Sequence, residues 1–141
     1  MSADSQWPLQ QAVHNALSGA VALKALLGDP PRVFDHVPPD ALFPYVVIGE
    51  TTAVPFDTKN EDGMAMTLSL HTWSRYRGFK ETKDIMATVT DVLDAAALSL
   101  TDHTLVLLQL VFAATMRDPD GLTRHGVQRF RALTQKPQAT S

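Results

Sequence analysis

Apolar residues recur at helical spacing in two parts of the chain. The first part begins near Ser5 or Gln6, is interrupted at Ser18–Gly19, and continues as a short segment from Ala20 to Leu27. The second part runs from Lys80 to Leu98 and has the clearer amphipathic pattern. Its predicted buried stripe comprises Ile85, Met86, Val89, Val92, Leu93 and Ala96.

Strand patterns occupy most of the remaining chain. The predicted strands are Arg32–His36, Tyr45–Thr52, Met64–Ser74, Thr104–Arg117 and Leu122–Leu133. In Met64–Ser74 the methionines and leucines alternate with polar residues and Trp73, which predicts a half-buried strand. In Thr104–Arg117 both sets of alternate positions are largely apolar, which predicts a strand covered on both faces.

Prolines and glycines mark the connections between these elements. Pro38, Pro39 and Pro44 argue against a helix between the first two strands. Gly49 indicates a bulge or a close packing contact within its strand. Asp118–Gly121 has proline second and glycine fourth, which predicts a tight turn.

The predicted element order is α-β-β-β-α-β-β. This order predicts an α+β fold, a mostly antiparallel sheet with two helices packed on one face. With 141 residues the chain is long enough for one core, so we expect a single domain over residues 1–141. Residues 1–6 and 134–141 are small and polar, and we expect both ends to be mobile.

Composition excludes several classes of function. A net charge of -3 gives no basic footprint for tight nucleic-acid binding. The absence of cysteine removes disulfides, thiolate catalysis and cysteine-rich zinc sites. The beginning of the chain lacks the pattern of a secretory signal, and its apolar runs are too short to span a bilayer.

Candidate chemistry is equally sparse. The five histidines have no metal-binding spacing, the serines lack the context of a nucleophile elbow, and neither glycine-rich phosphate-binding motif occurs. We therefore predict no catalytic, cofactor-binding or metal-binding residues. This result favours binding or assembly over catalysis.

Three residues are candidates for a subunit interface. Arg129 and Arg131 alternate with Phe130, so they leave the predicted sheet on the face opposite the phenylalanine. They form either a solvated face or a basic seam against the acids of a neighbouring subunit. Trp73 either anchors such an interface or packs in the core under a loop.

The segment Ala53–Gly63 is predicted to be a long loop. It is either a plain solvated connection or a docking loop, since an ordered loop of this length often has a function. Phe56 either docks on a partner or folds back onto its own domain. The candidate docking residues are Phe56, Asp57, Lys59, Asn60, Glu61 and Asp62.

Several stretches resemble the tail-completion or tail-terminator family of long-tailed phages and phage-like gene transfer agents. The resemblance rests on the run V-x-D-x-V-P from Val33, on F-P-Y-V-V-I-G-E from Phe43, and on L-S-L-H-T-W-S from Leu68. It continues through Met116–Gly121 and Thr123–Arg131. Together these stretches cover the chain from the first helix to Leu133.

The resemblance implies a structural virion protein of the same α+β layout. Members form a ring, typically of six subunits, that caps the tail tube, stops its polymerisation and joins it to the neck of the capsid. The implied partners are further copies of the chain, the tail tube protein and a neck or head-completion protein, with no membrane. DNA passes through the lumen without specific binding. The implied location is the tail–neck junction of a virion assembled in the host cytoplasm.

Two other functions remain open from the sequence. The chain could be another neck or head-completion adaptor, or a small hydrolase or ligand-binding domain.

Overall fold

The computed structural model describes residues 4–57 and 62–136. These residues form three helices and six strands. In chain order they are α1 (Gln6–Ser18), α2 (Val21–Leu27), β1 (Val33–Phe34), β2 (Tyr45–Pro55), β3 (Gly63–Ser74), α3 (Lys80–Leu93), β4 (Ser99–Leu100), β5 (His103–Arg117) and β6 (Arg124–Gln135).

The strands form one sheet in the order β1-β2-β3-β6-β5-β4. β1 is parallel to β2, and every other neighbouring pair is antiparallel. The predicted α+β class is confirmed. The predicted order is wrong in detail, because the short strand β4 precedes β5 and because the first helical region is two helices, so three helices accompany the sheet.

The helices cover one face of the sheet and form the core with it. Alternation along β3 turns Met66, Leu68 and Leu70 to this face, as the sequence predicts. Phe130 on β6 lies opposite Leu68 and is completely buried. The helices contribute Leu9, Val13, Leu17, Leu23, Leu27, Ile85, Val89 and Leu93 to the same cluster.

Helix α3 ends at Leu93, earlier than the predicted Leu98. The backbone turns at Ala95, which has φ 60° and donates its N–H to the carbonyl of Leu108 at 2.8 Å. The Asp94 carboxylate accepts the N–H of Leu110 at 2.8 Å. These bonds to β5 replace the next helical turn, so Ala96 lies outside α3 and not in its buried stripe.

β2 is longer than predicted, and the candidate loop is correspondingly shorter. Ala53, Val54 and Pro55 pair with Met66, Ala65 and Met64 of β3. The loop therefore spans 56–62 rather than Ala53–Gly63.

The fold includes residues near both ends of the described chain. Ser5 is completely buried and its hydroxyl lies 2.5 Å from that of Thr134. Thr134 is itself buried and belongs to β6, which extends to Gln135. The two hydroxyls satisfy each other inside the fold, while the mobility of residues 1–6 and 134–141 stays a prediction.

The prediction that both faces of β5 are covered is wrong. Leu108 is the one side chain of this strand in the buried class. Val106, Val111, Phe112 and Met116 are each at least 40% exposed. The apolar pattern therefore describes a strand that the rest of this chain leaves largely uncovered.

Candidate functional site

The sheet face opposite the helices, here called the open face, collects side chains from β2, β3, β6 and β5. The antiparallel register between β3 and β6 places Trp73 opposite His125, His71 opposite Val127, Ser69 opposite Arg129 and Thr67 opposite Arg131. No helix of the described residues covers these rows. The face is therefore where polar and aromatic groups of distant segments meet.

A stack of rings occupies one part of the open face. Trp73 and His125 lie parallel, with ring centroids 3.9 Å apart and an interplanar angle of 4°. His71 continues the stack, with its centroid 5.0 Å from that of His125. Gly49 makes room for it, because a Cβ at this position would lie 2.6 Å from the His71 ring. The predicted role of Gly49 is confirmed, since it lies at a register shift and in a close contact.

The two histidines extend into a hydrogen-bonded chain with Glu50. His71 Nδ1 lies 2.8 Å from His125 Nε2, and His71 Nε2 lies 3.3 Å from Glu50 Oε1. The carboxylate accepts from His71, and the two imidazoles share one proton between their facing nitrogens. A second positive charge on the pair would set two N–H groups against each other.

The pKa values of Glu50 and His125, at the two ends of this row of hydrogen bonds, are shifted. Hydrogen bonds from the Ser69 side chain and from the Glu50 backbone N–H, with His71 nearby, lower the pKa of Glu50. Burial, followed by the charge of His71, lowers the pKa of His125. The cluster therefore favours an ionised Glu50 and a neutral His125.

Arg129 and Arg131 lie on the open face and are exposed, while Phe130 between them is buried. The predicted direction of their side chains is confirmed. The Arg129 guanidinium stacks 4.5 Å from the centroid of the Phe112 ring. No carboxylate of the described residues pairs with either arginine, so their charges remain available to a partner.

Trp73 lies on the open face like both arginines, but it is not directly opposite either of them in the β3–β6 pairing. It lies four residues along β3 from Ser69, the partner of Arg129, which corresponds to about 13 Å. Its half-buried ring stacks on that of His125. The structure therefore brings Trp73 together with His125, and Arg129 together with Phe112.

The 56–62 loop closes the hairpin of β2 and β3. Phe56 donates its N–H to the Gly63 carbonyl at 2.8 Å, and the Asp57 carboxylate accepts the Gly63 N–H at 3.3 Å. The Phe56 side chain is 45% exposed, so it does not fold fully back onto the domain. Asp62 accepts the N–H of Lys136 through its carbonyl. The candidates Lys59, Asn60 and Glu61 lie outside the described residues.

Sequence reasoning missed a second exposed region, at the opposite end of the sheet. Leu42, Tyr76 and Leu122 are each more than half exposed there, in the connections before β2, after β3 and before β6. These residues are isolated apolar positions within loops, and no local sequence signal distinguishes them.

Polar contacts fix the connections at this end. The Arg75 guanidinium lies 4.3 Å from the Phe43 ring centroid, and its Nε donates to Thr123 Oγ1. The Asp120 carboxylate accepts the backbone N–H and hydroxyl of Thr123 and the N–H of Leu122. These bonds lower the pKa of Asp120 to about 2. The predicted turn is confirmed by the bond from Gly121 N–H to the Asp118 carbonyl.

A cleft of about 300 Å³ beside α1 is lined by Trp7, Gln10, Gln11, His14, Asn15 and Asp35. It contains no serine or threonine that a base could activate. Within residues 4–57 and 62–136, no three histidine or carboxylate side chains converge to hold a metal ion. None of the described helices is long and apolar enough to cross a membrane.

Comparison with known proteins gives three concordant matches. The profile of the family described as "Tail completion protein gp17" matches residues 11–135. The chain is 36% identical over 92 residues to the tail completion protein gp17 of Bacillus phage SPP1, covering 65% of this chain and 68% of that protein.

The third match is to a solved structure, described as the virion of a native gene transfer agent particle. It has a TM-score of 0.83 and 30% sequence identity, and it covers 90% of this chain and 94% of the matched chain. The agreement of sequence and fold over nearly the whole length confirms the family resemblance noted above. The chain belongs to the tail completion protein gp17 family, and it is a structural component of a phage or gene transfer agent virion and not an enzyme.

Proposed function

We propose that copies of this chain form a closed ring, with six subunits as the expected number, that caps the tail tube and stops its polymerisation. The ring joins the tube to the neck of the capsid. The observation that carries this proposal is the near-complete structural match to a chain of a gene transfer agent virion. Tail completion requires a part that meets the tube on one side and the neck on the other.

The shape of the subunit supports such a layered position. The sheet has two ends, and each carries exposed apolar residues: Phe56 at one end, and Leu42, Tyr76 and Leu122 at the other. A ring whose axis follows the strands presents one end to the tube and the other to the neck. Two different docking surfaces per subunit are what a connecting layer needs.

The open face supports contacts within the ring. A cyclic ring joins two different patches of neighbouring subunits. Arg129 and Arg131 carry charges unpaired within the described residues, and arginine is well suited to carboxylates of a neighbour. We therefore propose that Arg129, Arg131 and Trp73 belong to the subunit interface.

The 56–62 loop is proposed to dock on the next layer of the particle. Phe56 and Asp57 supply an exposed ring and a charge at the tip of the β2–β3 hairpin. Lys59, Asn60, Glu61 and Asp62 complete the proposed docking sequence. In a ring, several equivalent contacts act together, so weak single contacts suffice. A net charge of -3 per chain suits a lumen through which DNA passes without being retained.

The direct test is to delete the gene for this protein from the producing cell and to image the particles by electron microscopy. We expect tails of uncontrolled length that are not joined to filled heads, with normal particles restored by the wild-type chain. Tails of normal length that remain detached would indicate a neck adaptor instead of a terminator. Normal tails joined to filled heads would contradict any role in tail completion.

A further inference from the structure

The outer edge of β5 is covered along its first half. His103 and Thr104 pair with β4. Farther along, the Leu108 carbonyl accepts from Ala95 and the Leu110 N–H donates to Asp94, each at 2.8 Å. This half of the edge is therefore protected by the chain's own backbone and by one carboxylate.

The second half, Phe112–Arg117, is here called the open half of β5. It pairs regularly with β6 on one side, and none of the described hydrogen bonds covers its other side. Asp118 donates its N–H to the Thr123 carbonyl at 2.9 Å. The alternation of an antiparallel ladder then turns Ala113, Thr115 and Arg117 outward, with their N–H and C=O groups free.

A groove runs beside this free backbone. It has a volume of about 260 Å³, and its lining comprises Lys83, Met86, Ala113, Ala114 and Thr115. The small side chains of β5 at this point allow another backbone to come close. Folded proteins usually protect a long apolar edge, because it pairs readily with other strands. Here the edge is both free and bordered by a site for incoming side chains.

The other side of the sheet has a matching free edge. β1 pairs only with Val46 and Val47, so within residues 4–57 and 62–136 no strand pairs with the end of β2 on that side. Phe56 bonds inward to Gly63, so Thr51, Ala53 and Pro55 turn outward by the same alternation. The segment Thr51–Pro55 is here called the free segment of β2.

We propose that the open half of β5 pairs antiparallel with the free segment of β2 of a second copy, which continues the sheet from one subunit to the next. This inference rests on the proposed ring and specifies its seam. β2 and β5 run in opposite directions within the sheet. Rotation about an axis along the strands therefore presents antiparallel edges to each other.

The register that uses all outward groups sets Thr115 opposite Ala53, Arg117 opposite Thr51 and Ala113 opposite Pro55. Pro55 lacks an N–H, and in this register it is at the end of the pairing, where the loss is one hydrogen bond. Thr115 lies opposite Gly126 on the helix-covered side, and Ala53 packs against the core on that same side. Both faces of the sheet therefore continue across the seam.

Charge favours this partner over a second β5. Glu50 and Asp57 flank the free segment of β2, while Lys83, Arg117 and Arg129 border the open half of β5, with Asp118 at its end. Pairing two β5 strands would bring together two edges that each carry more basic than acidic groups, and it would leave both β2 edges free. When β5 of one subunit pairs with β2 of the next, the free backbone groups at both sheet edges of every subunit are hydrogen-bonded, and the pairing closes into a ring.

Engineered cysteines test the seam without interference, because the chain has none of its own. In the proposed register Ala114 and Val54 form a pair without direct hydrogen bonds, with Cα atoms about 4.5 Å apart, a distance suited to a disulfide. Within one chain β3 and β6 separate β2 from β5 by about 14 Å, so any such disulfide joins two copies.

The experiment oxidises the Ala114→Cys, Val54→Cys double variant, as purified full-length protein and in assembled particles. We expect a ladder of cross-linked copies ending at the closed ring. The control pair, Ala114→Cys with Ala87→Cys, places the second thiol on the exposed side of α3 and should give only background. Melting curves of the reduced variants verify that each is folded. Absence of a ladder in both samples would overturn the proposal.

Two further variants separate the alternatives. Ala114→Cys alone should not cross-link, and a dimer from it would replace the proposal with pairing of two β5 strands. Thr115→Pro, added to the double cysteine variant, removes an outward N–H, so the protein should fold normally but should no longer form the cross-linked ladder. By contrast, Ala114→Pro removes a hydrogen bond to β6 and should destabilise the fold. A full ladder in the Thr115→Pro background would also contradict the seam.

The result is distinguishable from failure of the proposed function. Particles with normal tails and no cross-link would disprove this seam and leave tail completion intact. A cross-linked ring from a chain whose deletion leaves particles normal would disprove tail completion and leave the seam intact.

Discussion

The two faces of the sheet are organised in different ways. On the helix-covered face, apolar side chains from all three helices pack on Met66, Leu68 and Phe130. On the open face, Ser69 and Val127 are as buried as core residues although no described helix lies over them. The Ser69 side chain is hydrogen-bonded to Glu50 of the same face. Stability is therefore concentrated on the first face, while the second is ordered by contacts that still leave charges for a partner.

The largest expected difference between the two faces comes from removing one aromatic side chain from each. Phe130→Ala should lower the free energy of unfolding by about 3–5 kcal/mol, because it leaves a cavity in the core. Phe112→Ala, the matched change on the open face, should cost less than about 1 kcal/mol, since it removes one cation–π contact from a side chain that is 44% exposed.

Chemical denaturation of the two variants measures both values. Similar losses from both would mean that the open face contributes to the core, and the distinction between the faces would be lost.

The sequence predicted the helix-covered face well and the open face poorly, for a physical reason. Alternation along β3 and the stripe of α3 are local patterns, and each is visible in a single segment. The contact between His71 and His125 depends on the register of strands 54 residues apart, which no local pattern specifies. The exposure of β5 was missed because an apolar strand has the same sequence pattern whether its own chain or another chain covers it.

Charge reversal on the open face should affect assembly and leave the fold intact. In Arg129→Glu with Arg131→Glu, the free energy of unfolding should change by less than about 1 kcal/mol, because both side chains are exposed. Completed particles should be lost. Circular dichroism and size-exclusion chromatography check for a folded monomer, and particle yield measures assembly.

The matched control is Arg129→Lys with Arg131→Lys, which retains the charge and should retain partial assembly. A normal particle yield from the glutamate variant would disprove an arginine seam.

Acidification should weaken the open face through His125. Its pKa in the fold is below the ordinary value of 6.5, so the unfolded chain takes up the proton first as the pH falls. Stability is therefore full above that range and declines as the pH falls through 6.5 towards the lowered pKa. We expect the melting temperature to decrease over this interval in the wild type and to decrease less in His125→Gln.

The control is His36→Gln, an exposed histidine outside the stack. It should retain the wild-type pH dependence in the same melting experiments. If His125→Gln and the wild type had the same pH profile, protonation of His125 would not be what lowers the stability of the fold.

The smallest effect on stability is expected at the 56–62 loop, which belongs to neither face. Replacing residues 57–62 with an Asn-Gly turn should preserve the fold, because that turn suits a two-residue hairpin and the Phe56–Gly63 pair is retained. The particles should nevertheless have tails of uncontrolled length, or tails that do not join heads. Electron micrographs measure both properties, and attached tails of normal length would exclude the docking role.

The buried contact between Ser5 and Thr134 brings the first helix and the last strand of the fold together. Residues 129 positions apart in sequence come within hydrogen-bonding distance, so the two ends of the fold lie side by side. A circular permutant that connects them through a short linker and opens the chain at the Asp118–Gly121 turn should therefore keep the same sheet. Its new termini would lie among Leu42, Tyr76 and Leu122, at the opposite pole of the subunit. A fluorescent label on either version would then mark one pole, and the two labelled particles together would give the polarity of the ring.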